Sequence, residues 1–220
     1  SAAKEKLKEE IVPVFVTNGK GIAVEEDTGP RADQKLEQLK KLKPAFDREF
    51  GTITAGNSSP ITDGACAVLV MAEETAKELG YEPLGYIRAY AYAGLDQRRM
   101  GLGPSYATPK VLEKAKLKLK DIELIEMNEA FAAQILANEI CFRSSAFAQK
   151  LGLSEPMGEL NRDILNVNGG ALALGHPLGA SGTRLVLTLL KEMVRRDLNV
   201  GLATLCIGGG QGGAFVLERY

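Results

Sequence analysis

The stretch Asn168-Gly-Gly-Ala-Leu-Ala-Leu-Gly-His-Pro-Leu-Gly-Ala-Ser-Gly182 leads, through a helical run, into Gly201-Leu-Ala-Thr-Leu-Cys206 and the glycine turn Ile207-Gly-Gly-Gly210. His176 is the only histidine in the 220 residues. Gly175 and Pro177 constrain its backbone, which suits a positioned base; the other reading is a structural histidine bonded beneath a loop. From Ser181 onward, Leu185, Leu189, Leu190, Met193 and Val194 recur at helical spacing, and Arg195 and Arg196 sit where cations favour a helix C-terminus. Cys206 ends an apolar run, where a strand gives way to glycines whose unobstructed N–H groups can line an oxyanion hole. A polarised thiol and an inert strand-end cysteine are both open there.

Outward from this stretch, strands and helices alternate. Tyr86–Ala93, Ile122–Met127, Ile164–Val167, Gly201–Ile207 and Gly213–Glu218 read as strands. Thr108 reads as an N-cap with Pro109 at N1 of a helix carrying Val111, Leu112 and Ala115. Asn128 reads as the cap of a helix through Phe131, Ile135 and Ile140, with Glu129 favouring its dipole. The expectation is an α/β layered domain over 84–220. Upstream, Ala65–Met71 is a continuous apolar run, expected to be a strand covered on both faces. Glu73–Leu79 reads as a short helix closed by Gly80. Residues 1–55 look irregular: a helix end over Lys4–Glu10, a strand over Ile11–Thr17 weakened by Pro13, and Leu36, Leu39 and Leu42 on one helical side before Pro44. They hold no core of their own and are expected to pack on something else.

Composition excludes several classes. A net charge of -1 with dispersed Lys and Arg gives no basic stripe for nucleic acid or an anionic membrane. No apolar run approaches the roughly 20 residues that span a bilayer, and the first ten residues lack the apolar centre of a signal peptide. Three cysteines at unrelated spacings suit a reducing compartment, and no CxxC or histidine cluster suggests zinc. These features point to a soluble intracellular protein. The absence of an initiator Met suggests that residue 1 is not the natural start. A GxGxxG string at 208–213 is not read as a dinucleotide fingerprint, because a strand follows it rather than a helix.

Four strings taken together carry a resemblance. GTITAGNSSPITDGA at 51–65, NEAFA at 128–132, GGALALGHPLGASGTR at 169–184 and CIGGGQGGA at 206–214, in this order, resemble the thiolase family, chiefly its C-terminal half. The resemblance implies an α/β fold: a layered αβα C-terminal domain with a mixed sheet over 84–220. Residues 56–83 would be the last strand and helix of the N-terminal domain, and 1–55 the end of the loop domain. It implies thiolytic cleavage of 3-ketoacyl-CoA with CoA, or the reverse condensation, by a ping-pong route through an acylated cysteine.

In that scheme His176 activates the nucleophile, Cys206 moves a proton to or from the substrate α-carbon or the CoA sulfur, and Asn128 holds a water beside His176. The N–H of Gly208 completes a second oxyanion hole, and Ser59 touches the pantetheine arm. Coenzyme A enters as substrate, with no further cofactor or metal. A homo-oligomer, dimer or tetramer, in the cytoplasm or an organelle matrix is implied, without nucleic acid or a membrane span. The departure is the nucleophile: no Cys-x-Ser-Gly motif is present, Cys66 lies in the apolar run and Cys141 inside a helix. The expected partner is therefore an N-terminal thiolase half carrying that cysteine. Two other readings stand beside this one: a non-catalytic module binding CoA or acyl-CoA, and a ketoacyl synthase-like enzyme, which the single histidine disfavours.

Overall fold

A computed structural model describes residues 2–16 and 21–219. Near the N-terminus lie α1 (Ala2–Leu7), β1 (Val14–Val16), β2 (Ile22–Val24), α2 (Leu36–Leu39) and α3 (Glu73–Glu78). Then follow β3 (Tyr86–Gly94), α4 (Gly103–Ala115), β4 (Leu124–Met127), α5 (Ala132–Arg143) and α6 (Ser145–Lys150). The chain ends with α7 (Ala171–Leu174), α8 (Leu178–Arg196), β5 (Val200–Ile207) and β6 (Gln211–Glu218).

The four long strands form one mixed sheet in the order β3-β6-β5-β4, with β4 parallel to β5 and the other pairs antiparallel. The period of two sorts their residues onto two faces. Ile125, Met127, Leu202, Ala214 and Val216 pack with Ala107, Val111 and Leu112 of α4 and Phe142 of α5. Leu124, Ala203 and Leu217 pack with Leu185, Leu189 and Met193 of α8. The result is a helix–sheet–helix layering, as expected from the alternation over 84–220, and its mixed sheet agrees with the resemblance.

Several local expectations are corrected. Ala65–Met71 has no regular secondary structure and belongs to no sheet, and Leu69 and Val70 are exposed. An apolar strand of this kind is held by ladders on its edges and cover on its faces, and none of the described strands pairs with it. Ile164–Val167 makes only a single parallel bridge, Ile125 with Leu165. Asn166 turns the backbone away at φ 47, and its side chain takes over the pairing, accepting from Met127 N and donating to Met127 O, both at 2.8 Å. Thr108 is not a cap: α4 begins five residues earlier with Pro104 in its first turn, and Pro109 lies inside it. Asn128 is not a cap either, since α5 is preceded by Phe131 at its N-cap. Ser181 lies within the first turn of α8, which opens at Leu178.

None of residues 5–16 and 21–55 is buried. Here β1 and β2 form a two-stranded ribbon, Val14 opposite Val24, with all its residues exposed. Thr17, the expected end of the first strand, lies outside the described residues. The segment before β1 is fastened to α8 by polar contacts: Lys6 Nζ reaches Glu192 at 3.2 Å, and Thr188 Oγ1 donates to Glu10 at 2.6 Å.

The N-terminus of α4 meets the β5–β6 hairpin through glycine. A methyl on Gly212 would stand 2.1 Å from Gly103 O, and one on Gly103 would stand 3.0 Å from the Cys206 Cα. Backbone cannot yield as a side-chain tip does, so Gly212→Ala forces α4 off the sheet. We expect it to cost about 3 kcal/mol in urea unfolding, with a lowered midpoint, whereas Gly179→Ala, which meets nothing within 4 Å, leaves the midpoint near that of the parent.

Candidate active site

Parallel pairing of β4 with β5 sets Met127 opposite Thr204 and carries Asn128 N to Thr204 O at 3.0 Å. Asn128, just past β4, and Cys206, near the end of β5, therefore stand at the carboxyl ends of neighbouring parallel strands, where α/β folds build their sites. Both are buried. After Cys206 the hairpin turns through Gly209 and Gly210, both at φ 88, a conformation that side-chain-bearing residues resist. Gly208 is exposed on that turn with open space where a Cβ would be.

His176 enters from the loop between α7 and α8. Its backbone N–H donates to Pro60 O at 2.9 Å, and Gly175 before it, at φ 98, leaves no room for a Cβ beside Thr62. The ring is held from both sides. Nδ1 lies 2.6 Å from Ser181 Oγ, and Nε2 lies 3.3 Å from Asn128 Nδ2. Ser181 Oγ is itself 3.1 Å from Pro177 O, an acceptor only, so the hydroxyl proton points there. Ser181 must then accept from Nδ1–H, and Nε2 carries the lone pair that receives the Asn128 amide. Burial lowers the imidazole pKa below its ordinary 6.5, and the Arg184 guanidinium lowers it further. The ring is thus a neutral base with Nε2 turned toward Asn128.

Glu129 does not serve its own helix. Its carboxylate accepts from Asn166 Nδ2 at 2.9 Å and from Leu172 N at 3.2 Å, capping α7 and so steadying the loop that carries His176. Gly170 permits this approach, since a Cβ there would lie 2.3 Å from the carboxyl carbon. Asn168 Nδ2 binds the buried Glu192 of α8 at 2.9 Å. The sequence contains the signal for these roles only as the strings NEAFA and NGG; the partners are on other elements.

The loop at 57–64 closes the site from the other side. Ser59 N and Oγ both donate to Ala130 O, at 3.0 and 3.1 Å, and Ala132 N donates to Asn57 O at 2.9 Å. Ser59 is half-buried and next to Pro60, whose carbonyl holds His176. The expected site residues Ser59, Asn128 and His176 are thereby linked by direct hydrogen bonds or adjacent residues, and Cys206 and Gly208 follow on the adjoining strand. Burial pushes the Cys206 thiol up, partly offset by its own backbone N–H. Cys141 lines a cavity of about 330 Å³ with Arg99, Ile140, Phe147 and Lys150, which shares no residue with the His176 site. Cys66 is half-buried within the largely exposed 61–72 segment. Burial raises both of these thiols as well. Among the described residues no three His, Cys, Asp or Glu side chains are grouped to hold a metal ion, and no helix is long and apolar enough to cross a membrane.

Comparisons with known proteins bear on the family and the fold. Residues 81–219 match the family model described as "Thiolase, C-terminal domain", and residues 1–74 match "Thiolase, N-terminal domain". The chain is 49% identical over 215 residues to a 3-ketoacyl-CoA thiolase of Alteromonas mediterranea, covering 97% of this chain and 49% of that protein. It superposes on the crystal structure of the Bacillus anthracis acetyl-CoA acetyltransferase with a TM-score of 0.85 and 40% identity, over 100% of this chain and 53% of that one. With the human mitochondrial 3-ketoacyl-CoA thiolase in complex with CoA the TM-score is 0.81 at 38% identity, over 100% of this chain and 52% of that one. The chain spans about half the length of the curated relatives it matches.

Glu126 on β4 shares the α8 face with Leu124. Burial raises its carboxyl from 4.5 to about 8, with Arg184 opposing and Glu129 adding to the shift. The folded chain thus holds a proton that the unfolded chain releases above 4.5, so this group's contribution to stability falls as pH rises toward about 8. We expect Glu126→Gln to remove that slope. Its stability advantage over the parent should grow between pH 4.5 and about 8, by up to about 1.4 kcal/mol per pH unit, in urea midpoints measured across the range.

Proposed function

This chain belongs to the thiolase family, and on that premise we propose that it forms the His176–Cys206 side of an enzyme cleaving 3-ketoacyl-CoA with CoA, or condensing acyl-CoA molecules. The observation that carries the proposal is the neutral imidazole whose Nε2 lone pair meets Asn128, at the strand end beside Cys206.

The acylated cysteine comes from a thiolase N-terminal half, and His176 Nε2 takes its proton. The thiolate adds to the C3 carbonyl, the C2–C3 bond breaks, and the electron pair left on C2 takes a proton from Cys206. The acyl group remains as a thioester on the nucleophile. Cys206, now a thiolate, removes the proton of the incoming CoA thiol, whose sulfur attacks the thioester carbonyl; the acyl group leaves as acyl-CoA, and the released nucleophile thiolate recovers its proton from His176. Burial keeps Cys206 in its thiol form in the resting site, which suits its first role as a proton donor. Asn128 and His176 hold a water against one developing oxyanion, and Gly208 N–H meets the other; its exposed, unobstructed position supports that role. Ser59 contacts the pantetheine arm: its proton is committed to Ala130 O, and its lone pairs stay available to an amide N–H. Coenzyme A is a substrate, and no other cofactor enters.

Residues 1–55 act as the end of the loop domain, 56–83 as the last strand and helix of the N-terminal domain, and 84–220 as the C-terminal domain. The exposed apolar residues of 65–71 support an N-terminal half as the partner that covers them. The complete enzyme works in the cytoplasm as a dimer or tetramer.

The test is thiolysis of acetoacetyl-CoA followed by loss of its absorbance, with this chain alone and mixed with a thiolase N-terminal half. Activity is expected only in the mixture. His176→Ala and Cys206→Ala should each lower it by roughly 100-fold or more. CoA binding without turnover in every mixture would mean a non-catalytic module, and full activity of the chain alone would remove the need for a partner.

A further inference from the structure

Arg184 lies three residues beyond Ser181 on α8, so the two share a face. Ser181 Oγ accepts from His176 Nδ1, which turns that face toward the imidazole. The Arg184 Nε and Nη1 are buried and make no hydrogen bond among the described residues. Groups from four separate segments feel its charge: Glu10 after α1, Cys66 in the 61–72 segment, Glu126 on β4 and His176 itself. Carboxyl groups on two of those segments make this a poor site for an external anion. A half-buried guanidinium whose inner N–H groups are not committed to a carboxylate fork acts on the groups beside that edge through its field, which the protein side screens less than water does.

The Glu126 carboxyl leaves that field in place. Burial keeps Glu126 protonated up to about 8, so over the range where an imidazole titrates it cancels none of the charge. Burial also pushes the Glu10 carboxyl up, and Glu10 Oε2 is engaged by Thr188 Oγ1. Around His176 stand the Asn128 amide from the end of β4, the Pro60 carbonyl from the 57–64 loop, and Ser181 and Arg184 from α8. Of these only Arg184 is charged.

We propose that Arg184 is a positioning residue for His176: its guanidinium, buried along its Nε–Nη1 edge and one helical turn beyond Ser181, keeps the imidazole in the neutral form whose Nε2 lone pair faces Asn128. This rests on the base role assigned to His176, but its effect on the ring is read without turnover. Burial is the larger cause of the ring's lowered pKa, so loss of Arg184 restores only part of the shift.

The sole histidine makes the test direct, because its ring C–H resonances form an isolated NMR titration in the 220-residue chain. In the native parent the ring should titrate below 6.5, and in concentrated urea near it. Arg184→Met, which keeps the apolar stem, should move the native value part of the way upward, and Arg184→Lys should leave it with the parent. A value unchanged in Arg184→Met, or one that moves equally in Arg184→Lys, overturns the proposal. Should Arg184→Met fail to fold, a native parent ring that titrates no lower than in urea overturns it equally. A normal titration in a chain that never supports thiolysis would instead count against the thiolase reading.

Discussion

The site depends on a short hydrogen-bond chain through one imidazole: Asn128 amide to His176 Nε2, Nδ1–H to Ser181, and Ser181 to the Pro177 carbonyl. Each link removes one degree of freedom. Because the carbonyl can only accept, the serine proton is committed, and that commitment selects the ring tautomer three atoms away. Burial and the Arg184 guanidinium then favour the uncharged ring. A base is thus specified by orientation, tautomer and protonation together, from groups on a strand end, a loop and a helix.

The surrounding fold reads as support for that chain. Parallel pairing of β4 and β5 brings Asn128 and Cys206 to one edge. Glycines at 103 and 212 let α4 approach the hairpin at backbone distance, and Gly170 lets Glu129 reach the start of α7. Polar ties from Asn168 and the N-terminal segment converge on Glu192 in α8. Burial raises the Glu192 carboxyl, but hydrogen bonds from Asn168, Arg196 and Lys6 outweigh it and hold the group at about 2. The helix that starts beside His176 is therefore anchored along its length by charge as well as by Leu185, Leu189 and Met193.

The N-terminal third differs in kind. The β1–β2 ribbon and the run at 65–71 expose Phe15, Leu69 and Val70, whereas the loop at 57–64 is bound closely to the site through Ser59, Pro60 and Asn57. One segment thus serves both surfaces: a polar turn that completes the His176 pocket, continuing into apolar chain with no strand beside it. A strand propensity without neighbours yields no sheet, since the ladder belongs to the pair and not to the sequence.

The sequence by itself determined the elements whose cause is local. The alternation of apolar residues over 84–220 located β3, β5, β6 and α8, Gly80 closed α3, and the strings around His176 and Cys206 marked the chemistry and the family. It misplaced the starts of α4 and α5 and the strand at 164–167. There a proline inside a helix, a distant acceptor for Asn128, and an asparagine side chain replacing a ladder each depend on residues far along the chain. Only the tertiary structure decided that Ser181 orients the imidazole, that Glu129 caps α7 rather than its own helix, and that Arg184 Nε and Nη1 are buried without a hydrogen bond among the described residues. The physical reason is that tautomer, field and desolvation are properties of groups brought together in space, and no local pattern of residue types encodes them.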